Sequence, residues 1–162
     1  MALAEWWIEP SIGLDAGGNL YSVWDTQGTS TTGTPIDTGW LSYSSDGGTT
    51  WSTPIQGPAD QQNVPHIMQV TGGAAGVAYV GWLSPSDPKG YALYLRPFST
   101  AAGWLSTQQQ MSTQFGNPSV WAGDTFGLST LGTNNVAVSW GSAVPSSSKQ
   151  SNIYATTVTT HP

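Results

Sequence analysis

The chain carries nine carboxylates, Glu5, Glu9, Asp15, Asp25, Asp37, Asp46, Asp60, Asp87 and Asp124, against only three cationic side chains, Lys89, Arg96 and Lys149. Paired carboxylates carry out glycoside hydrolysis, at separations of about 5–5.5 Å for retention and about 6.5–9.5 Å for inversion. Asp25 follows Trp24 directly at what reads as a strand end, a place where connecting loops build sites. Its counterparts in the repeats described below are Leu83 and Gly141, so the scaffold does not demand an acid there. Asp25 is therefore the catalytic candidate, weighed against a loop carboxylate satisfied by its own neighbours. Asp37 and Asp124 carry the same argument with less support. Asp15 beside Gly17-Gly18, and Asp87 between Pro85 and Pro88, read as turn residues. His66 sits in a Pro-x-aliphatic step and aligns with Ser11 and Ser119, which suits a surface or hydrogen-bonded role; His161 lies next to Pro162 at the end of the sequence. No His/Asp/Glu cluster has metal-ligand spacing and no serine sits in a nucleophile elbow, so neither a metal nor any other cofactor is expected. A calcium ion held by scattered aspartates and carbonyls stays open, although no EF-type loop is present.

Aromatic rings offer a different chemistry, since sugars present C–H faces that stack on tryptophan and tyrosine. Of nine tryptophans, Trp24, Trp82 and Trp140 recur 58 residues apart. They are candidates either for repeated sugar sites or for filling the space between repeated sheets, and the constant spacing favours packing. Trp40 and Trp121, with Trp6 and Trp7, do not recur in this pattern and are freer to serve binding or assembly.

The elements that must position these groups read as strands. Twenty glycines and eleven prolines punctuate the sequence, and no window combines helical apolar spacing with good helix formers. Three landmarks repeat, as propellers and solenoids require. A Pro-x-aliphatic step appears as Pro10-Ser11-Ile12, Pro65-His66-Ile67 and Pro118-Ser119-Val120. A strand ending in tryptophan appears at Trp24, Trp82 and Trp140, and a strand with tyrosine as Leu41-Ser42-Tyr43, Leu93-Tyr94-Leu95 and Ile153-Tyr154-Ala155. Trp51 and Trp104 open a fourth strand in the first two units, and the third unit stops short of one. The expectation is an all-β chain of three four-stranded propeller blades, at about 9–57, 64–110 and 117–160, forming a single module over 1–162. Residues 1–8, with Trp6-Trp7-Ile8, could supply the closing strand.

Between the third and fourth strands of the first unit lies Ser44-Ser45-Asp46-Gly47-Gly48-Thr49-Thr50-Trp51. Asp-Gly-Gly between alternating runs signals a hairpin, because glycine accepts the positive φ of a tight turn. The full spacing, with Ser44, Asp46, Gly48, Thr50 and Trp51 in place, resembles the Asp-box, the BNR repeat of sialidases and related β-propellers. The second unit keeps only the Gly103-Trp104 end of it. The resemblance implies a sialidase-like fold of six blades and places the box on a rim turn away from any active site, so these five residues are structural. Sialidase activity would further imply three arginines on the substrate carboxylate, a Tyr/Glu nucleophile pair and an Asp acid/base. A bidentate guanidinium grip is hard to replace, and this chain has one arginine, Arg96. Sialic acid cleavage is therefore not expected.

Three blades do not close a ring, since closed propellers need about four to eight, so a homodimer completing a six-bladed ring is the expected assembly. The net charge of −6 and the scattered cations argue against nucleic acid and anionic membranes as partners. Cysteine is absent, and the weakly charged Ser/Thr/Gly/Trp-rich composition resembles that of secreted modules, pointing to an extracellular setting. The functional expectation is a non-catalytic module that binds carbohydrate or assembles. The competing expectation is a degenerate half of a sialidase-like glycoside hydrolase that needs a partner half.

Overall fold

The computed structural model describes residues 10–29, 35–58, 65–86, 90–112, 116–117, 126–132, 134–144 and 150–160. Among these there is no helix, and twelve strands form three antiparallel sheets. The first sheet is β1 (Ser11–Leu14), β2 (Leu20–Thr29), β3 (Pro35–Ser44) and β4 (Ile55–Gln56), in that order. The second is β5 (His66–Gly72), β6 (Val77–Ser86), β7 (Gly90–Ser99) and β8 (Gly103–Trp104), with β9 (Gln109–Gln110) also on β7. The third is β10 (Gly127–Leu131), β11 (Asn135–Ser142) and β12 (Asn152–Thr159). Apart from β9, strands pair in sequence order within each sheet, so the sheets are meanders.

Strand alternation decides which face each sheet buries. From the first sheet Tyr21, Val23 and Leu41 meet Met68, Val70, Val80, Trp82 and Phe98 of the second. From the opposite face of the second, Tyr79, Leu83, Leu93 and Leu95 meet Phe126, Val136, Val138 and Trp140 of the third. The second sheet is thus apolar on both faces, which explains the near-continuous burial of β7. Strand β5 touches β1 and β2 on one side and β10 on the other, so the first strands of the three sheets lie side by side. None of the three sheets closes on itself.

Register aligns the repeats more sharply than composition does. Opposite Trp82 stands Tyr94, opposite Trp140 stands Tyr154, and opposite Trp24 stands Trp40, not Tyr43. The tyrosine landmark of the first unit is therefore three residues out of step, and Trp40 belongs to the repeat. The rings of Trp82 and Tyr94 stack at 5.6 Å and those of Trp140 and Tyr154 at 5.9 Å. The fourth strand of the first unit begins at Ile55, four residues after Trp51, because Trp51 is taken up by the preceding turn. In the third unit the first described strand starts at Gly127, nine residues beyond Pro118; Pro118-Ser119-Val120 lies outside the described residues, as do residues 1–9.

Asp15 makes one of the polar ties between the first two sheets. The Asp15 carboxylate, only 5% exposed, accepts from Gly17 N (2.7 Å), Asn19 N (2.9 Å), Asn19 Nδ2 (2.8 Å), Tyr21 Oη (2.8 Å) and Gly76 N (2.7 Å). Gly76, with φ +79°, belongs to the corresponding turn of the second sheet, and Ala16 N donates to Gly73 O beside it. Asp15 is the expected turn residue and, in addition, an inter-sheet latch. Burial pushes its pKa up, but the hydrogen bonds from Asn19, Tyr21 and Gly76 outweigh this and hold it below the usual value.

Candidate functional site

The connections sort the sheet ends into two groups. At one end lie the Asp15–Asn19 turn and the Asp-box turn that follows β3; at the other lie the β2–β3, β4–β5 and β6–β7 connections. Asp25 and Asp37 are on the second side. Asp25 is on β2 itself, which continues to Thr29, so it is a strand residue and not the loop carboxylate expected. Two positions past Val23, it faces the second sheet and is 2% exposed. Its register partner is Gly39, where a Cβ would run into the Gly57 carbonyl, Pro65 and Met68. The chain entering β5 thus lies directly over this spot, which accounts for the burial of the carboxylate.

Facing Asp25 from the second sheet is His66, whose Nδ1 is 3.8 Å from Asp25 Oδ2. A bulge makes this possible. The β5–β6 register shifts between His66 and Met68, and Ile67 takes φ +52°, a conformation that β-branched residues avoid. Such backbone costs about 1–3 kcal/mol and persists only where packing enforces it; here the Ile67 side chain is buried among Tyr79, Leu83 and Phe126. Asp37 stands diagonally from Asp25 on the same face of the first sheet, through the pairs Asp25–Gly39 and Gln27–Asp37. Burial raises its pKa, and the charge of His66 opposes that rise. Ser84 lies two residues past Trp82, on the face turned to the first sheet; its hydroxyl is fully buried and finds no hydrogen-bond partner among the described residues. Two acids and a histidine therefore share one inter-sheet end. Among the described residues no group of three His, Cys, Asp or Glu side chains could hold a metal ion.

The Asp-box is closed on itself. Ser44 Oγ donates to Asp46 Oδ1 (2.8 Å) and accepts from Gly48 N (2.9 Å), while Thr50 donates to Asp46 through N (2.9 Å) and Oγ1 (2.6 Å). Trp51 Nε1 donates to Gly48 O (3.1 Å). Gly47 and Gly48 take φ +72° and +91°, as the turn requires. The Thr50 hydroxyl and amide, then Ser44, hold the Asp46 carboxyl at a pKa of about 2. Its acceptor capacity is spent on the turn, at the end opposite Asp25.

Arg96 is equally committed. Its Nε donates to the carbonyls of Leu105 (3.2 Å) and Ser106 (2.9 Å), its Nη1 donates to Pro58 O (3.0 Å), and the guanidinium lies 5.7 Å from the Trp104 ring centre. Trp104 Nε1 in turn donates to Gln56 O of β4 (2.9 Å), so the pair clamps the outer strand of the first sheet.

Of the repeating tryptophans, Trp82 is fully buried and Trp140 nearly so, each on the sheet face turned to the preceding sheet. Trp24 occupies the same face of the first sheet, where no preceding sheet is described. It is half-buried beside Trp40, whose Nε1 donates to Thr26 Oγ1 (2.9 Å), and Ile12 and Leu14 on this face are 63% and 61% exposed. Trp121 lies outside the described residues, as do Asp60, Asp87, Asp124 and His161. The Asp25–His66 approach and the Asp15 latch escape sequence reading because the partners are 41 and 61 residues apart. No protein-family model matches the chain, and a search of curated proteins finds no significant match.

Proposed function

We propose that this chain is a non-catalytic, sialidase-like Asp-box β-propeller module, a three-blade unit whose six-bladed ring is completed by a second copy. The observation that carries the reading is the shared register of Trp24, Trp82 and Trp140 in three sheets stacked in sequence order. The second and third sheets each lay their tryptophan face towards the sheet before, which is how blades follow one another around an axis. The closed box at Asp46 supports the rim-turn role that the resemblance gives it. Against sialidase chemistry stands Arg96, whose donors are already placed on backbone carbonyls. The work left to such a module is assembly, or carbohydrate binding through exposed rings such as Trp51 in an extracellular setting.

A second reading, a degenerate half of a glycoside hydrolase, draws on Asp25, Asp37 and His66 at one inter-sheet end. Sedimentation, a glycan array and a fluorogenic glycoside panel separate the two. A dimer with no turnover of any glycoside supports the module. Hydrolysis abolished by Asp25→Asn refutes it in favour of the enzyme, and a well-folded monomer at low micromolar concentration refutes the two-copy ring.

A further inference from the structure

Among the described residues, two sheet faces are left open at opposite ends of the stack. One is the front of the first sheet, with Ile12, Leu14, Trp24 and Trp40. The other is the back of the third, where Gly127, Ser139 and Ala155 stand in one row and Ser129, Ala137 and Thr157 in the next. Building on the two-copy ring just proposed, we infer that these faces dock: the front of the first sheet of one copy takes the back of the third sheet of a second copy.

The chain contains two instances of this contact already. Val70 and Leu128 occupy the register position of Ile12, since each pairs with the residue two before its repeating tryptophan. Val70 is 6% exposed and Leu128 packs in the core between the second and third sheets, whereas Ile12 is 63% exposed. What covers those two positions is the back of the preceding sheet. A Cβ on Gly13 would sit 3.0 Å from the Val70 carbonyl oxygen, and one on Gly81 would sit 3.6 Å from Leu128 Cδ2. Gly81 immediately precedes Trp82 as Ser139 precedes Trp140, so the same step places Ser139 of a second copy against Ile12. Shape fits as well as register. Between the exposed Leu131 and Ile153 at its two ends, the middle of the third sheet's back is built from small side chains, leaving room for the large rings of Trp24 and Trp40. Aromatic rings packed into desolvated pockets are the usual anchors of interfaces. A front-to-back contact is heterologous, so it closes into a ring only if the rotation per chain is a half turn and otherwise runs on as a fibre.

The chain has no cysteine, which makes a cross-linking test clean. Ile12→Cys/Ser139→Cys is oxidised and run under non-reducing conditions, with each single variant as control. Inter-chain cross-linking of the double variant alone, ending at the dimer, is the expected result. Ile12→Glu/Leu14→Glu is expected to halve the sedimenting mass while the far-ultraviolet circular dichroism stays unchanged. A cross-linked ladder supports the docking of the two faces and overturns the closed ring. A dimer that neither cross-links nor responds to the glutamates overturns this pairing of faces and leaves the two-copy ring standing. A monomer in which Trp24→Ala abolishes glycan binding overturns both and makes the open face a sugar platform.

Discussion

Replacing Asp15 by asparagine keeps the shape of the latch and removes its charge. The carboxylate serves five donors, among them Gly17 N and Asn19 N on one oxygen and Tyr21 Oη and Gly76 N on the other. An amide turns one of those oxygens into a donor, so whichever way it lies, at least two backbone or hydroxyl donors face an N–H. Hydrogen bonds to charged groups contribute about 1.5–3 kcal/mol and a buried unsatisfied donor costs about 1–3 kcal/mol, so the variant should lose roughly 2–4 kcal/mol at neutral pH. The effect should also titrate. The folded pKa lies below the ordinary aspartate value of 3.8, so the stabilisation is fully present above that value and disappears as pH falls through the folded pKa. Urea unfolding of both proteins, from neutral pH down through the acid range, measures this directly. The gap between wild type and Asp15→Asn should be constant above pH 5 and narrow steadily below about pH 4. A gap smaller than about 0.5 kcal/mol at neutral pH, or one that does not change with acid, would refute the assignment of Asp15 as a charged latch.

Three further outcomes follow from the same geometry. The Asp46 carboxyl should titrate at about 2 by carbon-detected NMR, and Thr50→Ala should move it up towards 3.8, because the Thr50 hydroxyl is the largest cause of the shift; an unchanged midpoint would count against the closed box. Trp82→Ala, which empties a fully buried site, should cost about 3–5 kcal/mol in urea unfolding, and Trp24→Ala on the open face should cost clearly less in the isolated chain. Arg96→Lys should lower stability by about 1–2 kcal/mol, since a point charge cannot reach three carbonyls and lie over Trp104 at once, and it should leave glycan-array signals untouched.

The parts of the fold that could be read in advance are those whose determinants lie close together in the chain. The Asp-box is such a part: Ser44, Asp46, Gly48, Thr50 and Trp51 satisfy one another within eight residues. The tryptophan period was equally legible, because a residue that packs between repeated sheets must keep its place in the repeat. Composition alone could not place Trp40, since Tyr43 offers the same aromatic signal three residues on and only strand pairing selects between them. Nor could it place β10, because Pro118 mimics the earlier Pro landmarks nine residues before the first described strand of that unit. The inter-sheet end was the least accessible part. His66 reaches Asp25 only because the backbone at Ile67 turns to positive φ, and nothing in the isoleucine itself announces that.

The meander order of each sheet bears on how the chain acquires its structure. Apart from β9, strands bond to neighbours in sequence, so pairing closes short loops and requires little chain entropy to be lost at each step. Each sheet can zip as soon as its own strands are available, and the slow event is then the docking of finished sheets across β5. A fragment stopped after Gln56 would hold every partner of the first sheet yet leave Tyr21, Val23 and Leu41 facing water. It should show strand pairing without a cooperative melt, and sharp unfolding should appear only when the chain extends through Trp104 and the second sheet arrives to cover that face.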